Sequence, residues 1–151
     1  MKTTIIAEAG VNHNGSLKIA KKLVDVAKKA NADYIKFQSF DPEQLVTKNS
    51  KKAKYQLRNT GKKETQQQML KKLTLSYEEQ EKLFKYCKKK KIKFICTSFD
   101  INSLKKVLKF NVDYIKIPSG EITNFPFLNF ISKLKKKIIL STGASNMDDI
   151  K

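Results

Sequence analysis

Apolar positions in this chain form short continuous runs separated by stretches with a helical period. Thr4 to Ala7 is β-branched and apolar and predicts a first strand ending at Glu8. Gly10 to Gly15 reads as a turn rich in Gly and Asn. Ser16 then has the place of a helix N-cap, before Leu17, Ala20, Leu23, Val24 and Ala27 at helical spacing. Tyr34 to Phe37 predicts a second strand, apolar on both faces as a covered parallel sheet requires. Asp41 to about Gln67 has no period: it is polar, rich in Lys and Gln, and broken by Pro42 and Gly61. A loop of that length is expected to be a lid, a binding loop or disordered. Ser76 to Lys89 predicts an amphipathic helix opened by a capping box of Ser76 and Glu79. There follow a strand at Lys93 to Thr97, a helix at Asn102 to Phe110 and a strand at Tyr114 to Ile117. A helix at Phe125 to Leu134, with Asn124 near its cap, and a strand at Lys137 to Leu140 come next, and a further helix starts at Asn146.

Strands alternating with helices imply an α/β protein with a parallel sheet. Two closures satisfy that pattern, an open doubly wound sheet and a (β/α)8 barrel. A polar residue stands at the end of every strand, namely Glu8, Lys36, Thr97, Lys116 and Ser141. That favours the barrel, because an open sheet gathers its ligand at one switch point. A full barrel takes about 250 residues; the 151 present hold four complete units and a fifth strand. Residues 1–151 are therefore expected to be the incomplete N-terminal part of a TIM-type barrel, with the C-terminal half-barrel absent.

The net charge of +18 raises nucleic-acid binding as a possibility. Composition argues against it, since Arg58 is the single arginine among 32 basic residues and base readout favours Arg. Lysine runs such as Lys88 to Lys91 and Lys135 to Lys137 fall at helix ends and read as solvated faces that steer anions. No apolar run approaches the ~20 residues of a membrane span, and the N-terminus lacks the long apolar core of a secretory signal. A cytoplasmic protein without membrane or nucleic-acid partners is expected. Cys87 and Cys96 have no metal-ligand spacing and read as reduced thiols.

The candidate chemistry starts from a repeat. Asp33 to Ser39 reads DYIKFQS, and Asp113 to Ser119 reads DYIKIPS, 80 residues later. Two such units fit strands two and four of a barrel, and alternate strands share a layer of inward side chains. Lys36 and Lys116 would then enter one cavity at one height. Two ammonium groups there repel unless an anion joins them, so a phosphate- or carboxylate-bearing substrate is the natural guest. Thr97, Ser119 and Ser141 add hydroxyl donors at the same rim. Glu8 and Glu121 are candidate acid–base groups, with a salt bridge and a helix-capping role as their plainer alternatives. His13, the one histidine, sits in a Gly/Asn loop and is expected to bond to that loop's backbone.

The motifs IIAEAGVNHNGS (5–16), IKFQSF (35–40), YQLRNTGKKETQQQM (55–69), CTSFD (96–100), YIKIPSGEITN (114–124) and ILSTG (139–143) resemble the sialic acid synthase family in content and order. The resemblance implies condensation of phosphoenolpyruvate with N-acetylmannosamine to N-acetylneuraminate, with release of phosphate, or the equivalent reaction toward legionaminic acid or another nonulosonate. It implies a C-terminal antifreeze-like domain beyond this chain and a domain-swapped homodimer. It also implies a divalent metal, Mn2+ or Mg2+, whose ligands lie outside the chain, so that the chain by itself is expected to be inactive. Carried over by position, Lys36, Thr97, Lys116, Ser119 and Ser141 resemble the phosphoenolpyruvate-binding set. Glu8 resembles the carboxylate beside metal and aldehyde, Glu121 the one that handles water or a proton, and Gln38 a contact to the sugar. A Schiff-base aldolase, a charge-driven nucleic-acid module and an inactive remnant used for regulation or assembly are the alternatives.

Overall fold

The computed structural model describes residues 3–60 and 64–151. Five strands form one parallel sheet: β1 (Ile6–Gly10), β2 (Tyr34–Ser39), β3 (Lys93–Ser98), β4 (Tyr114–Ile117) and β5 (Lys137–Leu140). They lie side by side in sequence order, each paired with the next. A doubly wound sheet reverses its order at a switch point, whereas an unbroken sequential order is the arc of a barrel. The sequential order thus bears out the barrel that the strand-end residues favoured.

Helices α1 (Leu17–Lys29), α5 (Tyr77–Lys89), α6 (Ile101–Leu108) and α7 (Phe125–Ser132) fall close to their expected places, and α8 (Met147–Ile150) ends the described chain. Ser16 Oγ accepts from the Ile19 N–H and caps α1. At α5 the capping box is closed both ways, Glu79 N–H to Ser76 Oγ at 3.2 Å and Ser76 N–H to Glu79 Oε2 at 2.9 Å. These reciprocal bonds satisfy helix donors that would otherwise lack partners.

Two expectations are corrected. The first strand does not run from Thr4 to Ala7 but from Ile6 to Gly10. Its neighbour β2 extends to Ser39 and offers ladder partners past Ala7, with an irregular step between Glu8 and Gly10, while the Ile5 N–H is already taken by Asp33 Oδ2. Pairing, not propensity, sets the strand's end.

The stretch from Asp41 to Gln67 is not a structureless loop. It contains α2 (Pro42–Leu45), α3 (Lys54–Thr60) and the start of α4 (Gln66–Leu73). Asp41 caps α2, and Thr65 with Gln68 closes a second capping box on α4. Lys52, buried, pairs with Glu64 at 3.2 Å, and Glu64 also takes Lys72 at 2.5 Å, which ties the excursion to α4. Gly61, expected to act as a break, lies outside the described residues.

The main core lies between the sheet's outer face and its helices. Ile35, Phe37, Phe94 and Cys96 pack against Ala20 and Val24 of α1 and Leu83 and Cys87 of α5. Ile115 and Ile117 of β4 pack against Leu104, Phe127 and Ile131. Outward residues of β1 to β4 are thereby spent on the core, and the alternate residues are left to the inner face. Both cysteines are buried and free, and burial raises both thiols, that of Cys87 to about 12. No helix among the described residues is long and apolar enough to cross a membrane.

Candidate active site at the inner face of the sheet

The site follows from register. Glu8 pairs with Lys36, Lys36 with Ile95, Thr97 with Lys116, and Lys116 with Ile139. Paired residues of neighbouring parallel strands share a face, and so do residues two apart on one strand. Glu8, Lys36, Gln38, Ile95, Thr97, Lys116, Ile139 and Ser141 therefore all belong to one face, opposite the helix-packed core.

Their heights follow as well. In an eight-stranded barrel of shear 8 the tilt offsets each strand by about one residue, hence two residues between alternate strands. Lys36 is level with Ile95 and Lys116 with Thr97, two residues further on, so the two lysines fall in one layer. Their neighbours one layer down show it directly. Tyr34 and Tyr114, two residues before each lysine, meet edge to face with ring centroids 5.8 Å apart. Strands of odd number supply the layers between: Ile6, Ile95 and Ile139 beneath the lysines, and Glu8, Thr97 and Ser141 above them.

Each ammonium has local partners. Lys36 Nζ forms an ion pair with Glu8 and approaches Thr97 Oγ1 at 3.4 Å. Lys116, 8% exposed, donates to Ser141 Oγ and to the Ile117 carbonyl, both at 2.6 Å. Burial holds the Lys116 ammonium below the usual lysine range, and the charge of Lys36 lowers it further, with Glu8 acting in the opposite sense. These mutual effects are those of groups facing one hollow, a cationic cleft whose charges are partly relieved by a single carboxylate. An anion placed between the lysines would relieve the rest.

The remaining expected residues divide. Gln38 lies near Glu8 at the mouth, since a Cβ on Gly10 would come 3.6 Å from its Nε2 and 3.3 Å from Glu8 Oε1. Ser119 opens a 3-10 turn, Ser119–Glu121, and its Oγ lies beside Gly143 at the end of β5. Glu121 accepts from Asn124 Nδ2 at 2.6 Å, and no hydrogen bond or ion pair among the described residues joins it to Lys36, Lys116 or Glu8. His13 is 1% exposed, accepts from the Gly15 N–H through Nδ1 at 3.1 Å, and has its pKa lowered mainly by burial. Its expected bond to the loop backbone is present.

A divalent metal does not fit the described residues by themselves. No cluster of three or more His, Cys, Asp or Glu side chains occurs among them, and His13 Nδ1 is occupied. Glu8, in the layer above the lysines, is engaged by Lys36.

Sequence reasoning missed the cavity beside this cleft. It measures about 660 Å³, opens at the C-terminal ends of β1, β2 and β3, and includes Gln38 in its wall. Phe40, Met69 and Leu70 form a small apolar cluster there, with Val46, Leu73 and Phe99 packed against it. The signal was available in the apolar pairs Leu45-Val46 and Met69-Leu70, and in the Thr65-x-x-Gln68 capping pattern.

The sequence model of the NeuB family matches residues 23–151. The N,N'-diacetyllegionaminic acid synthase of Campylobacter jejuni is 49% identical over 99% of this chain, which covers 45% of that protein. The human N-acetylneuraminate-9-phosphate synthase is 30% identical over 97% of the chain, covering 41% of its own length. Among solved structures, the N-acetylneuraminic acid synthetase of Leptospira borgpetersenii superposes with a TM-score of 0.80 at 29% identity, over 98% of this chain and 48% of that one. The chain thus spans less than half the length of these relatives. Its lysine repeat, its strand-end hydroxyls and its sequential parallel sheet all lie within or beside the matched residues, and the chain belongs to the NeuB family of sialic-acid-type synthases.

Proposed function

We propose that this chain supplies the phosphoenolpyruvate-binding part of a nonulosonate synthase, which joins phosphoenolpyruvate to an N-acetylated hexosamine and releases phosphate. The observation that carries it is the single layer shared by Lys36 and Lys116, whose charges repel and call for a multiply charged anion. Thr97 and Ser141 stand in the next layer with hydroxyls already bonded to the two ammonium groups, and Ser119 lies at the rim. Glu8 faces the sugar aldehyde once the substrate anion takes over Lys36. Gln38, beside it, touches the sugar, and Glu121 handles the attacking water or a proton. The whole protein works as a domain-swapped homodimer in the cytoplasm. A divalent metal, Mn2+ or Mg2+, would orient and polarise the aldehyde; because the described residues do not make up its site, the chain alone is inactive.

Two acceptors are in view. N-acetylmannosamine, leading to N-acetylneuraminate, is one. A diacetamido sugar leading to a legionaminic acid is favoured by the 49% identity to a synthase of that product, against 30% for the human enzyme.

The test is phosphate release by the gene product that carries this chain, given phosphoenolpyruvate, either acceptor and a divalent metal. Release that depends on the acceptor, with no adduct trapped by borohydride, is expected. A borohydride-trapped lysine adduct would replace the proposal by Schiff-base chemistry at the depressed-pKa Lys116.

A further inference from the structure

The N-terminal ends of the strands, at the far end of the sheet from the lysine cleft, carry a feature that the condensation does not use. Two hollows of about 600 and 340 Å³ lie there and share Tyr34 and Lys93, so that they run together as one groove. Six of its thirteen lining residues are lysines, Lys28, Lys91, Lys93, Lys135, Lys136 and Lys137, although Lys and Arg together make only 32 of the chain's 151 residues. All six are exposed. Two carboxylates share the groove, and both are in use. Asp33 accepts from the Ile5 N–H, and Asp113 accepts from Lys93 and from the Tyr34 hydroxyl, each at 2.8 Å. Among the described residues, Lys93 is the one lysine of the six in an ion pair. Lys28 donates to the Lys91 carbonyl and Lys136 to Asn111 Oδ1, neutral acceptors that leave both charges uncompensated.

The backbone adds a second observation. Each turn from a helix into the next strand places one residue in the left-handed region. After α1 and α6 it is Asn31 and Asn111; after α5 and α7 it is Lys91, with φ +54°, and Lys135, with φ +48°. Asn tolerates that conformation, whereas Lys is disfavoured in it. Like charges gathered at one end of the sheet also repel. The lysines therefore lower stability at the face of a barrel that ordinarily serves it, and their charge calls for a ligand.

We propose that this groove docks an acidic segment of a partner protein, an extended stretch with two clusters of Asp or Glu. The inference does not depend on the condensation reading. The uncompensated cations stand in two groups, Lys28 with Lys91 before β3 and Lys135 to Lys137 at the start of β5, with the Tyr34, Lys93 and Asp113 network between them. Neighbouring strands lie about 4.8 Å apart, which puts the groups about 10 Å apart, the span of about three residues of extended chain. A peptide can set neutral residues over Asp113. A nucleic-acid backbone carries a charge on every phosphate and cannot, and no Arg lines the groove to read bases. The lysine cleft, at the opposite ends of the same strands, stays open while the partner is bound.

The experiment titrates a fluorescein-labelled peptide, Glu-Glu-Gly-Ser-Glu-Glu between neutral flanks, with the gene product that carries this chain, and reads anisotropy. At about 0.15 M salt the Debye length is about 8 Å, so lysines elsewhere contribute little. Lys91→Asn with Lys135→Asn removes two charges by the residue that the other two turns already use. Its urea stability should hold or rise, and peptide binding should weaken about fivefold. Lys22→Gln with Lys82→Gln removes the same charge from exposed positions on α1 and α5 outside the groove, and should change binding less than about twofold. Equal weakening by both pairs, or no binding of the peptide by the unmodified protein, would overturn the inference. Tighter binding of a single-stranded RNA of about 12 nucleotides, lost with the same two lysines, would replace it by a nucleic-acid surface. Acceptor-dependent phosphate release should be unchanged by Lys91→Asn with Lys135→Asn; its loss in parallel with peptide binding would return these lysines to the catalytic cleft and overturn the inference as well.

Discussion

Replacing Lys116 by Met separates a ligand-binding lysine from a structural one. Met keeps most of the stem's volume and removes an ammonium that is 8% exposed and held by Ser141 Oγ and the Ile117 carbonyl. In the free protein that charge is disfavoured by burial and by Lys36, so trading it for a thioether should change the unfolding free energy by no more than about 1 kcal/mol. In the complex the same change removes a charge-assisted contact to the substrate anion, worth about 1.5–3 kcal/mol, or about 10- to 150-fold in Kd. Calorimetric titration with phosphoenolpyruvate and urea unfolding, run side by side, give both numbers. Unchanged affinity together with a stability loss of more than about 3 kcal/mol would refute the shared-anion reasoning and make Lys116 a structural ion. Lys36→Met supplies the converse: burial still lowers the Lys116 ammonium and Glu8 still raises it, but the lowering by its neighbour's charge is gone, and the Lys116 pKa measured by NMR should move up.

Gly15→Ala should cost about 2–4 kcal/mol in urea unfolding, since φ is +71° and the added Cβ would lie 2.4 Å from the Lys72 carbonyl oxygen. Gly143→Ala, whose Cβ would meet Ser119 Oγ at 3.6 Å, should leave stability within about 0.5 kcal/mol. At the other end of the sheet, Tyr34 and Lys93 each donate to Asp113 at 2.8 Å, and Tyr34→Phe should cost about 1 kcal/mol. The bond from Lys93, then that from Tyr34, holds the Asp113 carboxyl below its ordinary value of 3.8. Its contribution is present above that value and is lost as the pH falls through the lower folded one; Asp113→Asn should abolish this acid limb in a stability–pH profile. His13 also titrates lower when folded, chiefly through burial, from an ordinary 6.5. Stability should be full above about pH 6.5 and decline as the pH drops from there through the folded value, a slope that His13→Gln should remove.

Much of the architecture was legible along the chain because it is encoded locally. The apolar runs at Tyr34, Lys93, Tyr114 and Lys137 begin their strands at the expected residues, and Ser76 with Glu79 opens α5 as the capping pattern requires. Ladder and cap rules act over a few residues, so a linear reading reaches them. The repeat of DYIK also announced that two lysines share a setting. What the sequence could not give was anything set by partners distant along the chain. The first strand's end depends on how far β2 runs, and α2 and α4 depend on apolar contacts to a cluster with Phe40 and Phe99 that a polar composition conceals. The cavity beside the two lysines, set by α2, α3 and α4 packing over the strand ends, is likewise a tertiary fact. The sequence by itself determined which side chains alternate onto the inner face; strand order, register and tilt decided which of them stand at one height, because only pairing across the sheet relates residues 80 positions apart.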